Sequence, residues 1–375
     1  MPVRVRFAPS PTGSLHLGSA LTALINVLFA RSQDGTVLLR IDDTDSDRSR
    51  PELEAGILDD LRWLGLNWDE GPVHQSERFD RYREAATRAT GTGIRDGAIE
   101  LRGEGVPPFV ILRSDGRATY HWASVVDDLD FGITHVIRGN DHLPNMPLHV
   151  AAARALGAEP PEFIHHAVVL GESGKLSKRE GASSISELRS DGFPPAAVVN
   201  QLGLVATSGP GEVMTLLELV ERFRPERIAR GEVRLDPAKL RSLSAAYISS
   251  LSPAELATQA LPWCPAGTPR ETVEAMAPAL RGAHTLAEVG DLVASVLEPP
   301  ESQPLPGLAE LRSLYPDHLS EAEAREMVDE LRRREIPLRQ ARLALTGRPR
   351  GPELWSVLVA LPRDEAMRRA EGIRV

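Results

Sequence analysis

Two short segments carry residue types that could handle phosphates. The first runs Ala8-Pro9-Ser10-Pro11-Thr12-Gly13-Ser14-Leu15-His16-Leu17-Gly18-Ser19. Its prolines and Gly13 fix a loop, Gly18 permits close approach of a flat ring or a phosphate, and a helix starting there offers free N–H groups and a positive dipole end. The second runs Gly174-Lys175-Leu176-Ser177-Lys178-Arg179-Glu180-Gly181. Three cations and a hydroxyl within five residues suit the negative charge that develops on a pyrophosphate leaving group, and the flanking glycines let the loop move. Only Lys175, Lys178 and Lys239 among the 43 basic residues are lysines. An ammonium is a mobile point charge and a guanidinium a planar fork, so two lysines three residues apart in an arginine-using chain point to chemistry. Taken singly, a histidine at a helix start is more often a cap, and a basic run more often a solvated loop.

The elements around these segments set their geometry. Residues 3–8 read as a strand, Leu21, Leu24, Ile25, Leu28 and Phe29 recur at helical spacing, and 36–41 returns to strand. That is a parallel βαβ unit, whose ligands bind beyond the carboxyl ends of the strands; the first loop lies there. Helices are expected over 51–64 and 78–89, and a glycine-rich break over 91–97. Strands are expected over 109–112, 133–137 and 167–170, with a helix over 144–156 between the last two. Beyond about 190 only helices are expected, over 196–204, 216–223, 237–243, 253–261, 271–280 and 321–333, with 298–306 as a linker. The fold class is therefore α/β, a Rossmann-like parallel-sheet domain followed by an all-α C-terminal region.

At 375 residues the chain exceeds one ordinary core and implies two or three domains. A hydrophobic content of 42% with 26% charged residues argues against a disordered or membrane chain. The apolar stretch 20–30 is too short to span a bilayer and residues 1–6 offer no signal-peptide core, which favours the cytoplasm. The lone Cys264 excludes an internal disulfide and a cysteine-rich zinc site. Net charge is −10, yet residues 331–375 hold eleven arginines against five acids. That end is either a solvated helical face or a polyanion-binding one.

Together the two loops resemble the His-Ile-Gly-His and Lys-Met-Ser-Lys-Ser signatures of class I aminoacyl-tRNA synthetases. The surrounding runs narrow the likeness: Arg6-Phe7-Ala8-Pro9-Ser10-Pro11-Thr12-Gly13, Leu39-Arg40-Ile41-Asp42-Asp43-Thr44-Asp45, Gln75-Ser76-Glu77-Arg78, Arg113-Ser114-Asp115-Gly116 with Thr119-Tyr120, Val126-Asp127-Asp128, and Thr134-His135-Val136-Ile137-Arg138-Gly139-Asn140-Asp141-His142-Leu143. In this order they resemble bacterial glutamyl-tRNA synthetases. The resemblance implies a ligase that uses ATP with Mg2+, and no zinc, to make glutamyl-adenylate and passes the glutamyl group to tRNA. It implies catalytic roles for His16 and Lys178, and ATP contacts from His16, Gly18, Lys175, Ser177, Lys178 and Arg179. It implies glutamate contacts from Arg6, Ser10, Asp42, Tyr120 and Arg138, no resident metal, and a cytoplasmic monomer without membrane contact. The domains it implies are a catalytic domain over 1–190, a stem-contact-like region over 191–250 and an anticodon-binding-like domain over 251–375.

The chain also departs from the family. Asp42 stands where bacterial members more often carry glutamate, and glutaminyl relatives use aspartate. The acceptor-stem-binding insertion is reduced to about 89–108, and Leu243-Ser244-Ala245-Ala246-Tyr247-Ile248 lacks the usual Trp and Asn before the tyrosine. These losses raise an alternative: a tRNA-independent glutamyl ligase that uses a small-molecule or protein amine as acceptor.

Overall fold

The computed structural model describes residues 2–45, 48–171, 174–175, 184–207, 212–298 and 303–373. The chain divides into two compact units. The first comprises 1–189 and 198–239, the second 190–197 and 240–375.

The first unit is built on β1 (Arg4–Phe7), α1 (Leu17–Arg31) and β2 (Thr36–Ile41), the crossover read from the sequence. β1 and β2 pair in parallel, Arg4 opposite Thr36 through Phe7 opposite Leu39. Helix α1 is buried almost throughout, with Leu21, Leu24, Ile25 and Leu28 fully enclosed, because its apolar residues circle the helix and it lies in the core. Next come α2 (Pro51–Trp63) and β3 (Glu70–His74), which adds in parallel to β2. The helix α3 (Phe79–Arg88) leads into β4 (Thr92–Arg95), β5 (Ala98–Leu101) and β6 (Phe109–Leu112), an antiparallel meander. Then follow α4 (Tyr120–Asp130), β7 (His135–Gly139), α5 (Met146–Ala155) and β8 (Glu162–His166), with β7 and β8 parallel. Thr134 donates its N–H to the Arg4 carbonyl at 2.9 Å, which sets β7 beside β1. The parallel sheets β3-β2-β1 and β7-β8 thus lie side by side with β1 next to β7, an arrangement whose crevice between strands is where doubly wound sheets bind ligands.

The structure differs from the sequence reading in several places. The glycine-rich segment 91–97 is part of a hairpin: Asp96 and Gly97 turn between β4 and β5 with φ of 49° and 79°, the pattern of a type I′ turn, which Asp-Gly favours. This meander shares a core with its neighbours, in which Tyr82, Ala85, Leu101, Ile111, Trp122 and Ala152 are all buried. Beyond residue 190, where helices alone were expected, β11 (Glu232–Arg234) pairs in parallel with β9 (Val168–Gly171); β9 also pairs antiparallel with β10 (Gly174–Lys175). The α/β unit therefore extends to residue 239.

The second unit is helical, with helices at Pro253–Ala260, Arg270–Leu280, Leu286–Leu297, Pro306–Ser313, Glu321–Arg333, Leu338–Thr346, Leu354–Ala360 and Arg363–Ala370. The expected linker 298–306, of which 299–302 lie outside the described residues, separates nothing. One cluster spans it, from Leu256, Met276 and Val293 to Leu308, Met327, Leu345 and Leu358. Part of the arginine-rich end serves this core: the buried Arg369 guanidinium donates to the carbonyls of Val296, Leu345 and Leu297. Others pair with acids of their own helix, as Arg333 does with Glu330 at 2.8 Å. No described helix is long and apolar enough to cross a membrane.

Candidate active site

A cavity of about 340 Å³ opens at the carboxyl ends of β1, β2 and β7. Arg6, Ser10, His16, Gly18, Asp42, Tyr120 and Arg138 all line it. Lys175 lies in β10, opposite Leu170; Ser177, Lys178 and Arg179 lie outside the described residues. The chain nevertheless returns to the first loop directly after them. Ser184 bridges to His16, and the Ile185 N–H donates to the Leu15 carbonyl at 2.9 Å.

His16 caps α1: its Nδ1 accepts from the Ser19 N–H at 3.1 Å. A Cβ on Gly18 would stand 3.2 Å from that same Nδ1, so the glycine makes room for the folded-back imidazole at the helix start. The Asp42 N–H donates to the Pro9 carbonyl at 3.0 Å, tying the end of β2 to the proline-stiffened loop.

The cavity floor is a charge network whose hub the sequence reading overlooked. Arg40 is buried, its Nε and Nη2 donating to the two carboxylate oxygens of Asp42 at 2.6 and 3.2 Å and its Nη1 to Asp128 at 2.7 Å. Arg6 shares Asp128 through its Nε at 3.1 Å. Burial pushes the Asp42 carboxyl up and Arg40 opposes that push. Asp127 is committed to structure, accepting from Arg78, Gln75 and Tyr82 at 2.8, 2.8 and 2.9 Å. A lone arginine in an otherwise apolar strand was the available signal for the hub, since such a cation must be paired when buried.

Arg138 is different. It is buried, and its two terminal nitrogens make no hydrogen bond of ordinary geometry, the Tyr120 hydroxyl being the one side chain near enough to interact with the guanidinium in that way. Its Nε donates to His165 Nε2 at 3.3 Å, and its guanidinium lies 5.1 Å over the Phe163 ring. Burial and the nearby Arg6 push its pKa down, while Tyr120 and Asp128 oppose. Around it stand neutral imidazoles. Burial and Arg138 hold His149 well below its ordinary range, and bring His165 down to about 4. Burial likewise pushes up the Tyr120 hydroxyl beside it, with Asp42 adding to the effect. The cations Arg6 and Arg40 thus have carboxylates within the protein, whereas Arg138 has none bonded to it.

Comparison with known proteins identifies the family. The family model for the catalytic domain of class I tRNA synthetases (E and Q) matches residues 2–94 and 92–242. This chain belongs to that family. The model's span ends close to the end of the first unit at residue 239. The chain is similar to a glutamate--tRNA ligase 1 of Rubrobacter xylanophilus, 42% identical over 426 positions, covering 99% of this chain and 98% of the relative. It is similar too to a glutamate--tRNA ligase of Synechococcus, 34% identical over 475 positions and covering 100% and 99%. Both alignments exceed the 375 residues of the chain, so the relatives carry residues that it lacks. The fold matches the crystal structure of a glutamate tRNA ligase from Elizabethkingia meningosepticum in complex with its amino acid, with a TM-score of 0.81, 23% identity, and 99% and 98% coverage.

Proposed function

We propose that this synthetase activates L-glutamate with ATP to glutamyl-adenylate and pyrophosphate and transfers the glutamyl group to tRNA. The observation that carries the reading is Arg138, a buried guanidinium whose terminal nitrogens make no hydrogen bond of ordinary geometry, in a cavity whose other arginines are already paired. Such a group costs stability unless an anion completes it. The substrate's α-carboxylate must face the nucleotide, so its side-chain carboxylate is the anion left for Arg138. Asp42, with further lone pairs beyond those Arg40 uses, accepts from the ammonium; Arg6, Ser10 and Tyr120 complete the pocket.

In the reaction the α-carboxylate oxygen attacks the α-phosphorus of ATP, the bond to the bridging oxygen breaks, and pyrophosphate leaves. A tRNA ribose hydroxyl then attacks the acyl carbon and AMP departs. No protein nucleophile is needed, so the protein aligns reactants and stabilises charge. His16 and Gly18 hold the nucleotide at the start of α1, and Lys175, Ser177, Lys178 and Arg179 meet the triphosphate. Mg2+ would enter bound to the phosphates of the nucleotide, as it commonly does. The first unit carries activation, and the helical unit contributes contacts to tRNA. Given tRNA charging as the reaction, we assign the protein to the cytoplasm, as a monomer.

The length of the alignments to glutamate--tRNA ligases supports tRNA as the acceptor, and nothing in them supports an amine acceptor. ATP–pyrophosphate exchange and acid-precipitable charging, with glutamate or glutamine and with tRNA present, test the reading. Glutamate-dependent charging is expected. Equal rates with glutamine would overturn the role of Arg138, and adenylate formation without charged tRNA would overturn the acceptor.

A further inference from the structure

We infer that His165 is a positioning residue for Arg138, its neutral imidazole orienting the guanidinium toward the glutamate side chain without neutralising it. The inference rests on the glutamate-activating function proposed above. Strand register brings the two together: in the parallel β7–β8 pair Arg138 lies directly opposite His165, so both side chains project from one face. Phe163, two residues earlier on β8, shares that face, and its ring lies 6.3 Å from that of His165 at an interplanar angle of 14°. The guanidinium is therefore held on its face by Phe163 and at its Nε by His165, which leaves the terminal nitrogens as the donors for the substrate.

The choice of an imidazole has a chemical reason. A carboxylate in that position would orient Arg138 equally well but would also cancel its charge and compete with the substrate. A neutral acceptor fixes geometry and leaves the charge available. Imidazole accepts only while neutral, because its protonated form would set two donors against each other. Burial, Arg138, His142 and His166 all disfavour the charged form, with Asp141 opposing, and the group sits at about 4. The accepting form is therefore the one present at neutral pH.

Three variants test this: His165→Leu, which removes the acceptor; His165→Gln, whose side-chain oxygen can reach the place of Nε2; and His165→Glu, which restores an acceptor but adds charge. Exchange kinetics with tRNA present and calorimetric titration with L-glutamate are the readouts. Loss of one hydrogen bond to a charged group corresponds to about a tenfold change or more. The expected results are a glutamate KM and Kd raised about tenfold in His165→Leu, with kcat and the KM for ATP within about twofold. His165→Gln should recover most of the loss, and His165→Glu should be impaired despite its acceptor. An unchanged glutamate KM in His165→Leu, or a His165→Gln as impaired as His165→Leu, overturns the role. A wild-type protein that binds no glutamate by calorimetry overturns the activity itself and, with it, this role.

Discussion

Replacing Arg138 by methionine should make the free protein more stable and the enzyme worse. In the free protein the two terminal guanidinium nitrogens are buried without a hydrogen bond of ordinary geometry, and an unsatisfied buried polar group costs about 1–3 kcal/mol. Methionine fills similar space beside Phe163 without that cost, so the variant should gain about 1 kcal/mol or more. For a unit of this size that is about 2–4 °C in Tm. Binding moves the opposite way: truncating one partner of a buried charge pair costs about 2–5 kcal/mol, an affinity loss of about thirtyfold to several thousandfold. Scanning fluorimetry with and without glutamate, together with calorimetry, reads both effects. Wild type at a hundredfold excess over Kd should gain about 2.7 kcal/mol from the ligand, and the variant almost none. A variant that is less stable than wild type without ligand, or that keeps the wild-type response to glutamate, would refute the reasoning.

Other perturbations give separate readings. Lys178→Ala should lower the adenylation rate about a hundredfold if it stabilises transition-state charge, and a near wild-type rate in single-turnover exchange would remove that role. Arg40→Met leaves Asp42 and Asp128 buried without their shared cation and should cost about 3–5 kcal/mol in urea unfolding; a loss below about 1 kcal/mol would show that the network is not a unit. Asp60 is buried in α2, and burial together with Asp59 pushes its carboxyl up to about 6, with Arg189 opposing. The folded state thus binds its proton more tightly than the unfolded state does, and stability falls as pH rises from about 4 to about 6. Asp60→Asn should accordingly stabilise the protein at pH 7.5, by about 1 kcal/mol after allowance for solvent screening, and do little at pH 4. Equal effects at the two pH values would refute the assignment.

The sequence exposed most where apolar pattern and backbone demand coincide. Helix α1 and strands β1 and β2 follow from their runs of buried apolar residues, and the ligand-facing loop follows from the prolines between them. It was silent where strands are polar or short. β3 is largely exposed and β8 reads Glu-Phe-Ile-His-His, so neither shows strict alternation; β11 has three residues and exists only because β9 offers it an edge. In α4 the buried Asp127 and Asp128 hide the helical period, since their partners come from elsewhere in the chain. Of the eight family-implied residues that lie among the described ones, seven line one cavity, and the eighth, Lys175, lies in β10. Arg40 and His165, by contrast, acquire meaning only from contacts across strands, which spacing along one chain does not encode.

The meander β4–β6 bears on how chains of this kind can change length. Because Leu101 and Ile111 are enclosed with Tyr82 and Trp122, excising the whole segment would strip the α3–α4 face of its cover. The tip is another matter. Asp96 and Gly97 are exposed, and the ladder closes just behind them with Arg95 opposite Ala98. Exposed tips are where insertions are tolerated, so residues grafted between Asp96 and Gly97 would leave the shared core intact. The hairpin is a socket: length can be added at its tip, but the hairpin itself cannot be cut away.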